Sequence, residues 1–266
     1  MTGATVATTW RPKAVALDID GTLLDRDETI SLAVIDAVRR TAAQVPVILA
    51  TGRSWHGTLP VVDTLGLPPG LVVCSNGART LSHPEGRLLD ERTFDPSTVI
   101  ASVREHAPTA RMAVEEHGFG HRVTAPFPDG DLQGEIRVVS DHELAPEPVT
   151  RLIIRDPDSS EDDFVQLAER LGLHGVSYFV GWTAWLDIAP EGVDKSTGLK
   201  VALAHYDLRA QDLLAMGDGR NDIEMLEYAG QGIAMGSAPD EVKAAADEVT
   251  KSVQDDGVAA VLARWF

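Results

Sequence analysis

Ala14-Val15-Ala16-Leu17-Asp18-Ile19-Asp20-Gly21-Thr22-Leu23-Leu24 is the stretch from which the fold is read. Four apolar residues run into two carboxylates, and a glycine then lets the chain turn away. A short apolar run bounded by a turn signal predicts a strand buried on both faces of a parallel sheet. Side chains at i and i+2 share a strand face, so Asp18 and Asp20 are expected to point into one small volume. Two carboxylates held that close repel, and burial sharpens the repulsion. A divalent cation with oxygen ligands is the simplest candidate for holding them. The plainer alternative is a strand that ends in a solvated Asp-Gly turn, and the rest of the chain has to decide between the two.

Working outward, residues 31–44 predict a helix with Leu32, Ile35, Val38 and Ala42 on one stripe. Pro46 to Ala50 reads as a second buried strand running into Thr51-Gly52-Arg53. A helix then leads to Gly66, and a third strand, residues 71–74, ends in Ser75-Asn76-Gly77. This alternation of strand and helix specifies a parallel sheet with helices on its faces.

The rhythm changes near the turn cluster Ser82-His83-Pro84-Glu85-Gly86. Beyond it, Asp95 and Pro96 suit a helix start and Pro108 a stop. Residues 111–114, 149–154 and 178–188 supply strand material, 161–171 an amphipathic helix, and Pro126, Pro128, Pro146 and Pro148 mark loops. From Val193 the parallel rhythm returns: a helix over 195–205, a strand over 213–216, a helix over 222–228, a strand over 232–236, and helices over 239–246 and 258–266. The expected fold class is α/β. Residues 13–83 and 189–266 form a discontinuous core, residues 84–188 an inserted second domain, and residues 1–12 a flexible start.

The chain has 266 residues, enough for two domains, and 44% hydrophobic residues, enough for a substantial core. A formal charge of -18 argues against nucleic-acid or anionic-membrane partners and requires a locally positive site for any anionic substrate. The single cysteine, Cys74, excludes an internal disulfide and fits a reducing cytoplasm. No signal peptide or bilayer-length apolar run is read, so a cytoplasmic protein, monomer or dimer, is expected.

In an open α/β sheet, ligands bind beyond the carboxyl ends of the strands. Four polar clusters fall there: Asp18/Asp20, Thr51-Gly52-Arg53, Lys195, and Gly217-Asp218-Gly219-Arg220-Asn221-Asp222. Each alone has a dull explanation as a turn, a surface cation or a capping carboxylate. All four together, in this order, resemble the haloacid dehalogenase superfamily of phosphatases. Ser75-Asn76-Gly77-Ala78, the run from Glu191 to Lys195 and Gly232-Ile233-Ala234-Met235-Gly236 resemble its Cof-type branch.

The resemblance implies a Rossmann-like parallel-sheet core with an inserted α+β cap that sets substrate specificity. It implies Asp18 as nucleophile, giving a phospho-aspartate, and Asp20 as the acid/base. Mg²⁺ would lie between Asp18, the Asp20 carbonyl and Asp218. Ile19, Thr51, Gly52, Lys195 and Asn221 would hold phosphate, and Asp222 would support Lys195 or the metal. Arg53 either touches substrate or pairs with an acidic neighbour. Dehalogenating relatives lack a carboxylate at the Asp20 position, so phosphoryl transfer is favoured.

The implied activity is Mg²⁺-dependent hydrolysis of a small phosphorylated metabolite, such as a sugar phosphate or a phosphorylated cofactor like FMN or pyridoxal phosphate. Alternatives are a specialised sucrose-phosphate or glycosyl-phosphoglycerate phosphatase, then a phosphomutase or a silent binding module. Within the insertion, His117, His121, Arg122, Trp182 and Trp185 invite a pocket reading. Tryptophans three apart in an apolar stretch usually pack, and lone histidines usually sit at the surface, so none is assigned to the site.

Overall fold

The computed structural model describes residues 10–116, 118–128, 130–156, 166–167, 171, 176–180 and 185–266. The chain starts with β1 (Ala14–Leu17), β2 (Val47–Ala50), β3 (Gly70–Cys74) and a hairpin of β4 (Arg79–His83) and β5 (Leu88–Glu91). It continues through β6 (Arg111–Glu116), β7 (Gly120–Val123), β8 (Glu135–Val138), β9 (Leu152–Arg155), β10 (Val176–Val180) and β11 (Trp185–Pro190). It ends with β12 (Leu213–Gly217), β13 (Gln231–Ala234) and β14 (Glu248–Val249).

These strands form two sheets. The larger runs β14-β13-β12-β1-β2-β3-β4-β5 and the smaller β10-β11-β9-β6-β7-β8. β1 lies at the centre of the larger sheet, parallel to β12 on one side and to β2 on the other. Only the β4–β5 end of that sheet is antiparallel. The smaller sheet is antiparallel apart from β7 and β8. The architecture is the expected α/β parallel-sheet core with helices on both faces and a second, inserted α+β unit.

Alternation along the central strands explains the layers. Val15 and Leu17 of β1, Val47 and Leu49 of β2, and Leu214 and Met216 of β12 point to one face. There they meet Val34 and Val38 of helix Leu32–Ala42, Val62 and Leu65 of helix Trp55–Leu65, and Val258 and Val261 of helix Gly257–Leu262. Ala14, Ala16, Ile48, Ala50, Leu213 and Ala215 point to the other face, against Leu199, Leu203, Met225 and Val242. A strand buried on both sides must be apolar at every position, which is why these strands read as unbroken aliphatic runs.

Local chemistry sets the element ends. Ser31 Oγ accepts from the Val34 N–H at 3.2 Å and starts the first helix there. Asp95 accepts from the Ser97 N–H at 2.9 Å at the start of helix Ser97–His106.

Several expectations change. β1 ends at Leu17, so Asp18 and Asp20 stand in the loop beyond the strand, and no pleat carries them on a shared strand face. The turn cluster around His83 joins β4 to β5 within the larger sheet, and the crossing to the smaller sheet follows Glu91. The expected boundary at residues 83 and 84 therefore falls inside a hairpin of the core. Residues 1–9 lie outside the described residues, whereas residues 10–12, expected to be flexible, include a Trp10 packed edge-to-face on Trp265 at 5.6 Å. His117, Trp182 and most of the expected helix over 161–171 also lie outside the described residues.

Leu49 is fully buried in the middle of the larger sheet. Leu49→Ala should cost about 2–5 kcal/mol of unfolding free energy in urea titrations, as lost transfer energy plus a cavity. A loss below about 1 kcal/mol would show that the two-sided packing of β2 is not what holds the core.

Candidate functional site

The carboxyl ends of β1, β2, β3 and β12 meet beneath a cavity of about 520 Å³. Asp18, Asp20, Gly52, Arg53, Asp218 and Asn221 line its floor. Asp18 leaves β1 with its N–H still bound to the Met216 carbonyl at 3.0 Å, so β12 anchors the first residue past the strand. Gly21 follows at φ +82°, and a Cβ there would lie 2.1 Å from Asp218 Oδ2. Only glycine lets the loop turn and the Asp218 carboxylate come this close.

Lys195 is the first residue of helix Lys195–His205 and is fully buried. Asp194 caps the helix by accepting from the Thr197 N–H at 3.1 Å. Gly77, at φ +96°, admits the Asp194 carbonyl within 1.8 Å of where a Cβ would stand. The helix thus starts directly over the end of β3. The Lys195 ammonium donates to Asp18 Oδ1 at 2.6 Å and to Asp222 Oδ1 at 2.5 Å. Asp222 Oδ2 accepts from the Asp218 and Gly219 N–H groups at 2.9 and 2.8 Å. Both Asp222 oxygens are therefore committed to holding Lys195 and shaping the loop.

Burial pulls the Lys195 pKa down, but the charges of Asp18 and Asp222 outweigh it and hold the pKa above the ordinary lysine value. Burial, then the Asp222 charge, lifts Asp18 well above the usual carboxylate range, with Lys195 opposing. The same two causes push Asp218 up to about 7.

Ligand oxygens of Asp18, Asp218 and Asp222 lie within 4.8 Å of one another. Three carboxylates against one ammonium leave a formal excess of two negative charges in a buried space. That all-oxygen donor set and that excess suit a hard divalent cation. With Asp222 already occupied, Asp18 and Asp218 are the side chains able to face it.

Thr51 is buried, and its Oγ1 accepts from the Arg53 N–H at 3.1 Å. Arg53 forks onto Asp20 at 2.9 and 2.5 Å, the acidic-neighbour pairing of its two expected roles, and lines the cavity as well. Asp20, its side chain 59% exposed, thus stands apart from the buried cluster yet lines the same cavity. Asn221 donates to Asn76 Oδ1 at 2.9 Å. Ile19 lies between the two carboxylates, and its carbonyl accepts from Leu23 and Leu24 at 2.8 Å each.

Asn76 is a site residue that motif reading did not assign. It sits 3.1 Å from the position of a Gly52 Cβ, in a turn where both Ser75 and Asn76 adopt φ +52°. Two successive left-handed residues are unusual outside glycine, but they are visible only in a structure.

The smaller sheet supplies the roof. His121, Asp131, Gln133, Arg151, Trp185 and Asp187 line the upper cavity. His121 is 1% exposed, so its expected surface position is overturned. Trp185 packs as expected, edge-to-face on Phe127 at 6.3 Å, and lines the cavity as well. Arg122 instead faces a separate cleft and pairs with Glu116 at 3.3 Å. Glu115 of β6 accepts from Ser75 Oγ at 2.5 Å and from Arg79 at 2.7 Å, tying roof to floor.

A family model described as haloacid dehalogenase-like hydrolase matches residues 15–262. The chain belongs to that family. It is 30% identical to the 5-amino-6-(5-phospho-D-ribitylamino)uracil phosphatase YitU of Bacillus subtilis, over 96% of this chain and 98% of the relative. It is 30% identical to a phosphoglycolate phosphatase of Natronomonas pharaonis, over 94% of this chain and 96% of that protein. Among solved structures, a haloacid dehalogenase-like hydrolase of Bacteroides thetaiotaomicron superposes with a TM-score of 0.79 at 26% identity, covering 96% of this chain and 100% of that one. The protein is a haloacid dehalogenase-type phosphatase acting on small phosphorylated substrates. Among the described residues, no helix is long and apolar enough to cross a membrane.

The raised pKa of Asp218 has a consequence for stability. The folded chain keeps a proton that the unfolded chain has released above its ordinary value of 3.8. Its contribution therefore favours folding at low pH and is lost as pH rises through about 7. A cation bound to the ionised cluster acts in the opposite sense. Added Mg²⁺ should raise the melting temperature by several degrees near pH ~8 and hardly at all near pH ~5.5. An equal rise at both pH values in scanning calorimetry would place the cation elsewhere.

Proposed function

We propose that this phosphatase hydrolyses a phosphomonoester through a phospho-aspartate on Asp18, with Mg²⁺ held by Asp18, the Asp20 carbonyl and Asp218. One observation carries the reading: Asp18 stands at the end of the central strand, bonded to a buried Lys195 and flanked by Asp218, on the floor of a cavity that also exposes Asp20.

In the first half-reaction an Asp18 carboxylate oxygen bonds to phosphorus as the bond to the leaving oxygen breaks. Asp20, protonated, gives that oxygen its proton. In the second, Asp20 takes a proton from water as the water oxygen bonds to phosphorus and Asp18 is released. A carboxylate attacking a phosphate joins two anions, so offsetting their charge is the main task of the site. Lys195 supplies one fixed positive charge, kept in place by Asp222. When bound, Mg²⁺ supplies further charge neutralisation at the phosphoryl oxygens. Ile19, Thr51, Gly52 and Asn221 are assigned to the remaining phosphate oxygens, with Asn76 orienting Asn221. Arg53 holds Asp20 at the cavity wall.

Residues 92–190 act as the cap in this reading, because their sheet roofs the cavity and the core motifs meet only the phosphoryl group. The named activities of the relatives, on a ribitylaminouracil phosphate and on phosphoglycolate, support a small soluble substrate. The sugar-phosphate or phosphorylated-cofactor class fits the cavity of about 520 Å³.

Asp18→Asn should abolish phosphate release in a chain that still folds but melts lower, because Lys195 loses one of its two carboxylates. Asp20→Asn should cut kcat by about 10²-fold or more with a near-native melting curve. Chelation should stop turnover, Mg²⁺ should restore it, and Ca²⁺ should do so poorly because its looser coordination misplaces the attacking oxygen. Full activity in Asp18→Asn, or a rate indifferent to chelator, would refute the mechanism.

A further inference from the structure

Above the phosphoryl site, the roof of the cavity carries a buried polar atom on His121 with no partner among the described residues. His121 lies on β7, 1% exposed, and lines the same cavity as Asp18 and Asp20. Its Nδ1 is 3.0 Å from the Gln133 main-chain carbonyl. A carbonyl oxygen can only accept, so Nδ1 bears the proton and Nε2 is left as a lone pair. Nε2 is buried and has no hydrogen-bond partner among the described residues. Leaving such a group unsatisfied is costly, and a bound ligand is the natural source of the missing donor.

The neighbouring charges define what that ligand can be. Arg151 would be the obvious roof cation for a second anionic group, but its charge is already paired, with Nε and Nη2 donating to the two Asp187 oxygens at 2.8 Å each. Asp131, also on the roof, is engaged by Arg155 at 2.9 Å. Burial, opposed by Glu115 and aided by Arg151, lowers the imidazole pKa to about 4, so His121 is neutral near pH 7. The roof therefore presents acceptors and no uncommitted cation among its described lining residues.

Resting on the phosphatase reading above, we infer that His121 is a specificity-determining acceptor that selects an uncharged leaving group carrying a hydroxyl donor and turns away one ending in a carboxylate. A hydroxyl of a polyol or sugar fills the empty position on Nε2. A carboxylate has no proton to offer it, and Arg151, already paired with Asp187, gives such a group no unopposed positive charge. The two relatives lie on opposite sides of this distinction, one acting on a ribityl phosphate and the other on phosphoglycolate. This roof groups the protein with the former chemistry.

The test compares kcat/KM on ribitol 5-phosphate, phosphoglycolate and p-nitrophenyl phosphate. The last makes no use of a hydroxyl. The wild type should prefer ribitol 5-phosphate over phosphoglycolate by at least ~10-fold, the scale of one well-made hydrogen bond. His121→Phe keeps a flat ring and removes the acceptor. It should lower kcat/KM on ribitol 5-phosphate by ~10-fold or more while p-nitrophenyl phosphate stays within about twofold. His121→Gln, which can restore an acceptor, should recover part of the loss. Equal losses on all three substrates, or a wild-type preference for phosphoglycolate, would overturn the inference and leave the phosphatase reading standing. No hydrolysis of any of the three by the wild type would refute both.

Discussion

A fully buried ammonium between two carboxylates is the constraint on which the site depends. Lys195 reaches Asp18 from one segment and Asp222 from another, joining positions 177 and 27 residues away in sequence. Removing one partner from such a buried group costs about 3–5 kcal/mol, because the other charge is left uncompensated. The arrangement is tolerable because the ammonium meets two carboxylates, Asp222 also takes two backbone N–H groups, and Asp194 caps the helix that delivers Lys195. The negative excess that remains is the feature that makes the floor of the cavity a place for a cation and a phosphoryl group.

Around this floor, the larger sheet works as a rigid frame. Its central strands are packed on both faces, so their carboxyl ends move little relative to one another. Loops leaving those ends carry the polar residues, and two glycines let backbone and carboxylate approach where a side chain would collide. Chemistry common to all phosphomonoesters is thereby separated from whatever distinguishes them, which the second sheet contacts from above. Glu115, bonded to Ser75 beside Asn76, links the two layers through the same turn that orients Asn221.

How much of this was legible in the sequence differs by region. Helix Lys195–His205 coincides with its predicted span, since Asp194 and the apolar residues behind it signal a start and a face. Buried strands β1, β2, β3 and β12 stand out as aliphatic runs for the same reason that they pack on both sides. The boundary near His83 misled because a turn cluster looks alike whether it closes a hairpin or leaves a domain. Only the pairing of β5 with β4 tells these apart.

By itself the sequence determined the α/β order, the central strands and the catalytic-type motifs, because periodicity, caps and short motifs are local properties of the chain. Tertiary structure alone decided what depends on pairs distant in sequence. It placed Asp18 and Asp20 by a loop and not by a pleat, and it gave Arg53 to Asp20. It also paired Arg151 with Asp187 across 36 residues and drew His121 from an expected surface position into the roof of the cavity. Charge neutralisation and burial act through space, and no spacing along the chain encodes which partner a buried arginine or imidazole will find.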